Sequence, residues 1–285
     1  MGSDHAPPST RLPMNEIVSA DITGQMVLLG TGTSVGVPML GCGCGVCRSA
    51  DSKNRRTRCS AILGLPEGNL LIDTSPDMRQ QLLREGVGLV HAVLYTHEHA
   101  DHLFGLDDLR LMQFYLDGPL PLLCEEIVER RIRRSFDYAF ASLPNLHAGA
   151  TPKVEFRRIG PINDGHGAFQ VLGAEVTAVR QNHGPNFETL GFRFGGVAYC
   201  TDVCAMADES KAVLRGLDVL ILDALRRKPH PTHFSLDQAV ALAEELGARQ
   251  TYFTHMSHDL EHEATNASLP EGMQLAYDGL RIPLT

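Results

Sequence analysis

The sequence predicts an α+β fold in which two β-sheets pack face to face and helices cover their outer faces, the αββα layering. Short β-branched or leucine-rich runs alternate with turns along the chain, and helical patterns follow only some of them. Strands that meet strands, with helices after some of them, favour two covered sheets. The candidate strands are residues 26–29, 61–65, 70–72, 92–95, 176–179, 191–194, 197–199, 219–222 and 251–253.

Helices are fewer, and one of them has strong boundary signals. For this helix Ser235 is a candidate N-cap, Gln238 completes a capping box, and Gly247 follows its last residue. The pair Asp278 and Gly279 predicts a late β-hairpin between residues 275–277 and 280–282. The predicted helices are residues 76–85, 106–114, 125–140, 207–215 and 236–246.

The domain organisation is predicted to be simple. Residues 1–20 are polar and contain Pro and Ser, so we expect a flexible N-terminal segment. Residues 21–285 contain no repeat, low-complexity tract or long linker, and we expect a single domain. The sequence lacks an apolar stretch of the roughly 20 residues that a membrane helix needs, and it lacks the apolar core of a secretory signal, so a soluble cytoplasmic protein is expected.

Composition excludes several classes of protein. A hydrophobic fraction of 43% with 21% charged residues is typical of a chain that buries a core and excludes a disordered one. The 34 acidic and 25 basic side chains give a net charge of −9, which disfavours binding to a long nucleic acid or to a membrane surface. Seven cysteines, three of them in one short loop, indicate metal binding in a reducing compartment rather than disulfides.

The densest chemical signal lies directly after the predicted strand 92–95. Within six residues the chain carries His97, His99, Asp101 and His102, and imidazole nitrogens and carboxylate oxygens are ligands for zinc, iron or manganese. A turn that leaves a strand can direct alternate side chains at two different ions. Glu98, between two of these histidines, is expected to point away from the metals.

Other predicted strands end in similar residues. Residues 176–179 lead to His183, residues 197–199 lead to Asp202, and residues 251–253 lead to His255. Each of these residues alone could be an ordinary polar side chain. Together, at the ends of strands on a rigid scaffold, they can converge with the histidine cluster on one site.

These residues carry a family resemblance. Residues 97–102 match the H-x-H-x-D-H signature of the metallo-β-lactamase superfamily, and His183, Asp202 and His255 follow in the order of its remaining ligands. The sequence further resembles the PhnP-type cyclic-phosphate phosphodiesterases of phosphonate breakdown from about residue 25 to the C-terminus. The supporting segments are GTGTSVGVP at 30–38, GCGCGVC at 41–47, HFSL at 233–236 and THMSH at 254–258.

The resemblance implies the metallo-β-lactamase αββα fold and two divalent ions, zinc or manganese. It assigns His97, His99 and His183 to one ion. It assigns Asp101, His102 and His255 to the second ion, with Asp202 bridging both, so that Asp101 and Asp202 belong to the catalytic centre. A water between two cations loses a proton near neutral pH, so a bridging hydroxide is the expected nucleophile.

Asp73 follows the predicted strand 70–72. It resembles the family's buried aspartate behind the histidines, which fixes the orientation of an imidazole. An ordinary helix N-cap is the alternative interpretation.

The loop cysteines Cys42, Cys44 and Cys47 supply three thiolates, one short of a closed tetrahedral zinc site. The resemblance nominates His258 as the fourth ligand, so a structural zinc is expected. The remaining cysteines are expected to be small buried hydrophobic residues: Cys59, Cys124, Cys200 and Cys204.

His233 resembles a family histidine that lies beside the substrate phosphate and can protonate the leaving oxygen. Nearby His230 has no such match. Two weaker candidates for phosphate contact are the glycine-rich turn 30–34 and the basic run 53–58. An ordinary turn and a solvated charged face are their alternatives.

The sequence therefore predicts a two-metal phosphodiesterase that acts on a small cyclic ribose phosphate or nucleotide, and the resemblance also implies a homodimer. The alternatives are tRNA 3′ processing, glyoxalase-type thioester hydrolysis, and a non-enzymatic nucleotide-binding or metal-sensing protein. The acidic charge disfavours the first, the cysteine loop and His233 disfavour the second, and the intact ligand set disfavours the third.

Overall fold

A computed structural model describes residues 16–141, 147 and 149–284. Most of the segment predicted to be flexible, residues 1–15, therefore lies outside the described residues. Two seven-stranded sheets form the centre, and helices flank them, which confirms the predicted αββα sandwich.

The first sheet has the strand order β14-β1-β2-β3-β4-β5-β6. Strands β14, β1, β2 and β3 pair antiparallel, and β3 to β6 pair in parallel. The bounds are β1 Gln25–Gly30, β2 Ser60–Leu65, β3 Gly68–Ile72, β4 Ala92–Leu94, β5 Leu120–Cys124, β6 Val154–Arg158 and β14 Leu280–Pro283.

The second sheet repeats this plan with the order β7-β8-β9-β10-β11-β12-β13. Strands β7 to β10 pair antiparallel, and β10 to β13 pair in parallel. Each sheet therefore brings the ends of several parallel strands to one edge. The bounds are β7 His166–Val171, β8 Ala174–Asn182, β9 Glu188–Phe194, β10 Val197–Cys200, β11 Val219–Asp223, β12 Gln250–Thr254 and β13 Met273–Leu275.

Strand alternation separates the core into two layers. In β1, Met26 and Leu28 join the cluster shared by both sheets, whereas Val27 and Leu29 join the cluster beneath the helices of the first sheet. This two-residue period is the expected result of a pleated strand buried on both faces.

Most helices are shorter than the sequence predicts, whereas the helix predicted at 236–246 has the predicted bounds. The segment predicted at 106–114 is a 3₁₀ helix at Leu106–Leu111 followed by a short α-helix, and the segment at 125–140 breaks at Phe136. The α-helices are α1 Met78–Glu85, α2 Ala100–Leu103, α3 Met112–Tyr115, α4 Glu126–Ser135, α5 Asp137–Phe140, α6 Asp208–Val213, α7 Leu236–Leu246 and α8 His262–Asn266; a further 3₁₀ helix spans Ser52–Asn54.

Helix α7 confirms the predicted boundary signals. The Ser235 hydroxyl accepts from the Gln238 N–H, the Gln238 side chain accepts from the Ser235 N–H, and Gly247 ends the helix at φ +68°. Within the described part of the chain no helix has the length and apolarity that crossing a bilayer requires.

The predicted late hairpin is wrong. Gly279 does form a turn at φ +90°, but β13 pairs with β12 in one sheet while β14 pairs with β1 in the other. The Asp278 carboxylate explains the separation, because it accepts from the backbone and hydroxyl groups of Thr31 and Thr57 and so holds the turn against the first sheet.

Candidate metal centre

The first group of donors lies where β4 leaves the sheet. His97 and His99 follow this strand, and β8 brings His183 beside them, with donor atoms all within 4.8 Å of one another. Ring centroids are 4.5 Å apart for His97 and His99 and 5.1 Å apart for His99 and His183. The structure therefore brings together the three residues predicted for one ion.

The second group contains Asp101 and His102 at the start of α2, Asp202 beyond β10, and His255 beyond β12. His102 Nε2 lies 3.3 Å from Asp101 Oδ2 and 3.3 Å from Asp202 Oδ2, and His255 Nε2 lies 3.3 Å from Asp202 Oδ1. All four are the residues predicted around the second ion.

Asp202 lies between the two groups. Its carboxylate belongs to the second group and also lies within 4.8 Å of the His183 donor atom. The Thr201 hydroxyl donates to Asp202 Oδ2 at 2.7 Å and orients the carboxylate. This position between the groups is the one that a bridging ligand requires.

Asp73 supports the second group from behind. Its buried carboxylate accepts from the Thr96 N–H and hydroxyl at 2.8 Å and lies 2.7 Å from His102 Nδ1. This contact leaves His102 Nε2 directed at the donor group. The alternative helix-cap interpretation is wrong, because α1 begins after Asp77.

Three of these residues adopt a left-handed backbone conformation. Asp73, Asp202 and His255 follow the ends of β3, β10 and β12 at φ +61°, +54° and +58°. Such a conformation costs a non-glycine residue about 1–2 kcal/mol, and it concentrates at sites where a side chain must be aimed. The sharp turn directs each side chain from its strand end into the site.

Burial and opposite charges set the ionisation of the donors. Burial lowers the pKa of His97, His99 and His183, so these imidazoles are neutral and available as ligands. Burial would also lower the pKa of His255, but the nearby Asp202 and Asp101 carboxylates raise it to about 9. The imidazoles of His255, His102 and His97 hold the pKa of Asp202 well below its usual range despite burial.

The donor set fits divalent cations. Among the described residues, His97 Nε2, His102 Nε2 and both ring nitrogens of His255 are buried without a hydrogen-bond partner. Buried polar atoms without a partner are costly, and His97, His102 and His255 each contribute a donor atom to one of the two groups. Imidazole and carboxylate donors in this number suit zinc or manganese.

A separate group of donors lies in the loop between β1 and β2. The Sγ atoms of Cys42, Cys44 and Cys47 lie 3.2 Å, 3.5 Å and 3.5 Å from His258 Nδ1. Ligands around one tetrahedral zinc are separated by about 3.5 Å, given Zn–S and Zn–N bonds near 2.3 Å and 2.0 Å. The Cys47 N–H donates to the Cys44 sulfur and lowers the pKa of that thiol to about 6, whereas burial raises the pKa of Cys47 to about 11.

His233 lies beside both active-site groups. Its ring stacks on His255 with centroids 4.6 Å apart and makes an edge contact with His183 at 4.7 Å. His233 Nδ1 is 2.7 Å from Asp223 Oδ2, the last residue of β11, and this carboxylate also accepts from the Val203 N–H. This contact fixes the orientation of the ring, and no hydrogen bond to His233 Nε2 is found among the described residues.

Asp223 is a candidate functional residue that sequence reasoning missed. The signal was present, because Asp223 ends a predicted strand just as the other site residues do. Its spacing matches no motif quoted for the family, so only the three-dimensional contact with His233 reveals it.

The two weaker phosphate candidates have partners inside the protein. A side chain at Gly32 would lie 2.6 Å from the Arg56 carbonyl oxygen, so this turn is glycine-rich because the Arg56 backbone approaches it closely. Lys53 pairs with Glu263 and Arg58 pairs with Asp77. Buried Arg56 donates to backbone carbonyls, among them those of Ser257 and Leu260.

The remaining predictions have mixed outcomes. Glu98 joins none of the donor groups and lines a surface pocket with Glu125 and Arg180. Cys59, Cys124 and Cys200 are buried as expected, but Cys204 is only half-buried, because it lies in the turn after β10, where its sulfur accepts from the Gly184 N–H.

Comparisons with known proteins agree with this arrangement. A model of the Beta-lactamase superfamily domain matches residues 68–256. The crystal structure of a diphosphatase of the PhnP family is similar at 46% sequence identity and a TM-score of 0.82, covering 90% of this chain and 96% of that one.

Two curated relatives are also similar. An octanoyltransferase of Porphyromonas gingivalis (strain ATCC BAA-308 / W83) is 38% identical over 89% of this chain, which spans only 50% of that protein. A coenzyme PQQ synthesis protein B of Methylobacterium sp. (strain 4-46) is 29% identical over 91% of this chain and 100% of its own length.

Proposed function

Because this chain belongs to the PhnP family of the Beta-lactamase superfamily and is a metal-dependent hydrolase, we propose that it hydrolyses small phosphodiesters. The preferred substrate is a cyclic ribose phosphate or a cyclic nucleotide. The observation that carries this proposal is the Asp223–His233 pair beside the two donor groups.

His233 suits a reaction whose leaving group needs a proton. The leaving group of an alkyl phosphodiester is an alkoxide, which is strongly basic, so a positioned acid accelerates its departure. The leaving group of a thioester is a thiolate. Its parent thiol has a pKa of about 8.5, so it needs far less assistance from an acid. With Nδ1 held by Asp223, His233 presents Nε2 to the leaving oxygen.

The other residues have assigned roles. His97, His99 and His183 would hold one ion, Asp101, His102 and His255 would hold the second, and Asp202, which lies between the two groups, would serve both. Bound there, two divalent ions, zinc or manganese, supply Lewis acidity and lower the pKa of a coordinated water.

Orientation of the ligands comes from neighbouring oxygens. Asp73 fixes the imidazole of His102, and the Thr232 carbonyl accepts from His183 Nδ1 at 2.7 Å. These contacts keep the donors in place when substrate enters and leaves.

We further propose that Cys42, Cys44, Cys47 and His258 bind a structural zinc. Four protein ligands close a tetrahedral zinc, so this ion leaves no position for a reacting water. It would join the loop after β1 to the turn that carries His255.

The test is a substrate comparison with protein loaded with zinc or manganese. The substrates are a cyclic ribose phosphate, a 2′,3′-cyclic nucleotide, a precursor tRNA and an acylglutathione, each at several concentrations. We expect the highest kcat/KM with the cyclic phosphates. A higher value with precursor tRNA or acylglutathione would overturn the proposal.

A control separates an enzyme from a binding protein. Wild-type protein should hydrolyse bis(4-nitrophenyl) phosphate, and Asp101→Ala should not. If wild-type protein turns over none of these compounds, the proposed activity is wrong.

A further inference from the structure

A surface pocket lies beside the first donor group, between the turn from β8 to β9 and the start of α4. Its volume is about 490 Å³, which is within the usual range for small-molecule sites. The pocket adjoins the metal centre, because Glu98 and Gly184 in its wall directly follow His97 and His183 in the chain. None of the proposed metal ligands lines the pocket itself.

Glu98 is a buried acceptor in the wall of this pocket. It is only 8% exposed, yet its carboxylate takes part in no hydrogen bond or ion pair within the described ranges. Its oxygens are not among the fully enclosed atoms that lack a partner, so they reach the pocket that the residue lines. Burying a carboxylate without a partner is costly. A bound group that donates a hydrogen bond to Glu98 would remove this cost.

The other carboxylates of the pocket already have a partner. Arg180 donates to both oxygens of Glu125 at 2.8 Å and 2.7 Å, and it lies 3.7 Å from Glu188. Glu98 belongs to none of the donor groups that could hold a metal ion in the described part of the chain. Its negative charge disfavours an anion. The occupant that suits Glu98 is therefore an organic group with a hydrogen-bond donor.

Asn182 offers the complementary donor. Its Oδ1 accepts from the Gly184 N–H at 3.0 Å, and a backbone N–H can only donate, so the other terminal atom is the amide nitrogen Nδ2. This nitrogen has no acceptor among the described residues, and Asn182 lines the same pocket. The pocket wall thus contributes one acceptor and one donor. The edge of a nucleobase presents the matching pair.

Phe187 adds an aromatic surface next to the metal ligands. Its ring centroid lies 4.6 Å from that of His99 and 6.3 Å from that of His183, and its carbonyl accepts from the His183 N–H at 2.9 Å. The residue is nevertheless 38% exposed in the wall of the pocket. An exposed aromatic ring in a fixed position is a stacking surface for a planar group.

We propose that Glu98, Asn182 and Phe187 form a subsite for the nucleobase of a nucleotide substrate. Glu98 accepts a hydrogen bond from an amino group of the base, Asn182 Nδ2 donates to a neighbouring ring nitrogen, and Phe187 stacks on the plane of the base. The inference rests on the proposed phosphodiesterase function and deepens it. It selects cyclic nucleotides with an amino-bearing base over a cyclic ribose phosphate without a base.

The experiment compares adenosine 2′,3′-cyclic phosphate with purine riboside 2′,3′-cyclic phosphate, which lacks only the amino group, using the full, metal-loaded chain. Wild-type protein should prefer the adenosine compound. Glu98→Ala should lower kcat/KM for this compound by about 10- to 100-fold, the usual effect of losing a hydrogen bond to a charged group, and mainly through KM. The preference for the amino-bearing base should then disappear.

The ratio of the two kcat/KM values separates the base contact from an effect on the metals. Glu98 is next to two proposed ligands, but a disturbed metal centre would lower the rates of both nucleotides equally. Glu98→Gln retains the side-chain shape and one acceptor oxygen, so it should keep part of the preference. Glu175→Gln, at an exposed position of β8, should behave as wild type. An unchanged ratio in Glu98→Ala would overturn the subsite.

Phe187→Leu tests the stacking surface. The variant keeps an apolar side chain but removes the ring, so kcat/KM should fall by about 5- to 100-fold with both nucleotides, the usual range for base stacking. A cyclic ribose phosphate without a base should lose much less. Equal losses with and without a base would show that Phe187 does not contact the base.

A binding measurement decides the question without turnover. By calorimetry, adenosine 3′-monophosphate should bind wild-type protein about 10- to 100-fold more tightly than Glu98→Ala, whereas purine riboside 3′-monophosphate should bind both proteins alike. If cyclic phosphates are not hydrolysed but this difference is found, the proposed function fails and the subsite stands. If they are hydrolysed but both proteins bind the adenosine compound equally, the function stands and the subsite is overturned.

Discussion

The strand-end metal centre and the cysteine loop meet in one four-residue segment, which carries His255 at one end and His258 at the other, yet they are built differently. In the strand-end centre the ligands are mostly buried, and partners such as Asp73 and Thr232 orient them from behind. In the cysteine loop, two of the three thiols are only half-buried and the four donors contact mainly one another.

The difference indicates how each site would use a bound ion. In the strand-end centre, His233 packs against the donor residue His255 and is available for the acid role proposed above. Four protein donors in the cysteine loop would fill the coordination sphere of a tetrahedral ion, so such an ion could only stabilise the fold. Changes in the first site should therefore alter catalysis, and changes in the second should alter stability.

Asp202→Ala should have the largest effect, because Asp202 belongs to the second donor group and also lies beside His183 of the first. We expect the rate to fall by more than about 10³-fold, since charge stabilisation and water activation are lost together. Elemental analysis should also show reduced metal content. The control is Asp208→Ala, whose carboxylate is 95% exposed on α6. A normal rate with full metal content would contradict the shared position.

His233→Ala should keep both ions but lose acid assistance. With a poor leaving group the rate should fall by about 10²–10⁴-fold, and with a nitrophenolate the loss should be much smaller because that group leaves unprotonated. Asp223→Asn should show the same dependence on the leaving group in weaker form. Equal losses for both substrates would mean that His233 only positions the phosphate.

Asp73→Asn tests orientation from behind the ligands. The variant keeps the side-chain shape but removes the charge beside His102 Nδ1, so metal affinity or rate should fall by about 10- to 100-fold. Metal titration measures it. Asp278→Asn is a matched buried carboxylate held by Thr31 and Thr57, and it should lower stability without changing metal affinity. If both variants lowered metal affinity equally, the loss in Asp73→Asn could not be attributed to the position of Asp73 beside His102.

Cys44→Ser should change the rate least. We expect loss of about one equivalent of zinc and a lower melting temperature, by about 2–4 °C for each kcal/mol lost. The rate effect should be small, because Arg56 still holds the backbone of Ser257 and Leu260. Cys204→Ser, outside both donor groups, should retain the zinc. A zinc content unchanged in Cys44→Ser would rule out the cysteine site.

The sequence was most informative where function is local. Three histidines and an aspartate within residues 97–102 are enough to predict a metal centre. The family resemblance adds their partners His183, Asp202 and His255, which are distant in sequence. Asp223 was missed because its role depends on a contact between its carboxylate and His233, which the folding of the β11–α7 connection creates. Spacing along the chain cannot show such a contact.

Strands β5, β6 and β7 were also missed from the sequence, and the reason is again physical. The edge strands β6 and β7 are largely exposed, so they lack the apolar runs by which buried strands are recognised. Strand β5 contains Pro121, which disfavours a strand assignment from sequence. The late hairpin failed because a turn residue indicates a reversal but not which sheet each arm will join.

Each donor group draws on both sheets. His97 and His99 leave the first sheet and His183 the second, while Asp101 and His102 leave the first and Asp202 and His255 the second. An ion bound in either group would therefore act as a crosslink, and the two layers could not separate without releasing it. Metal binding and folding are then thermodynamically linked, so the unfolding free energy should rise with free metal concentration and fall in a chelator. The residues proposed for catalysis would then also stabilise the packing of the two sheets.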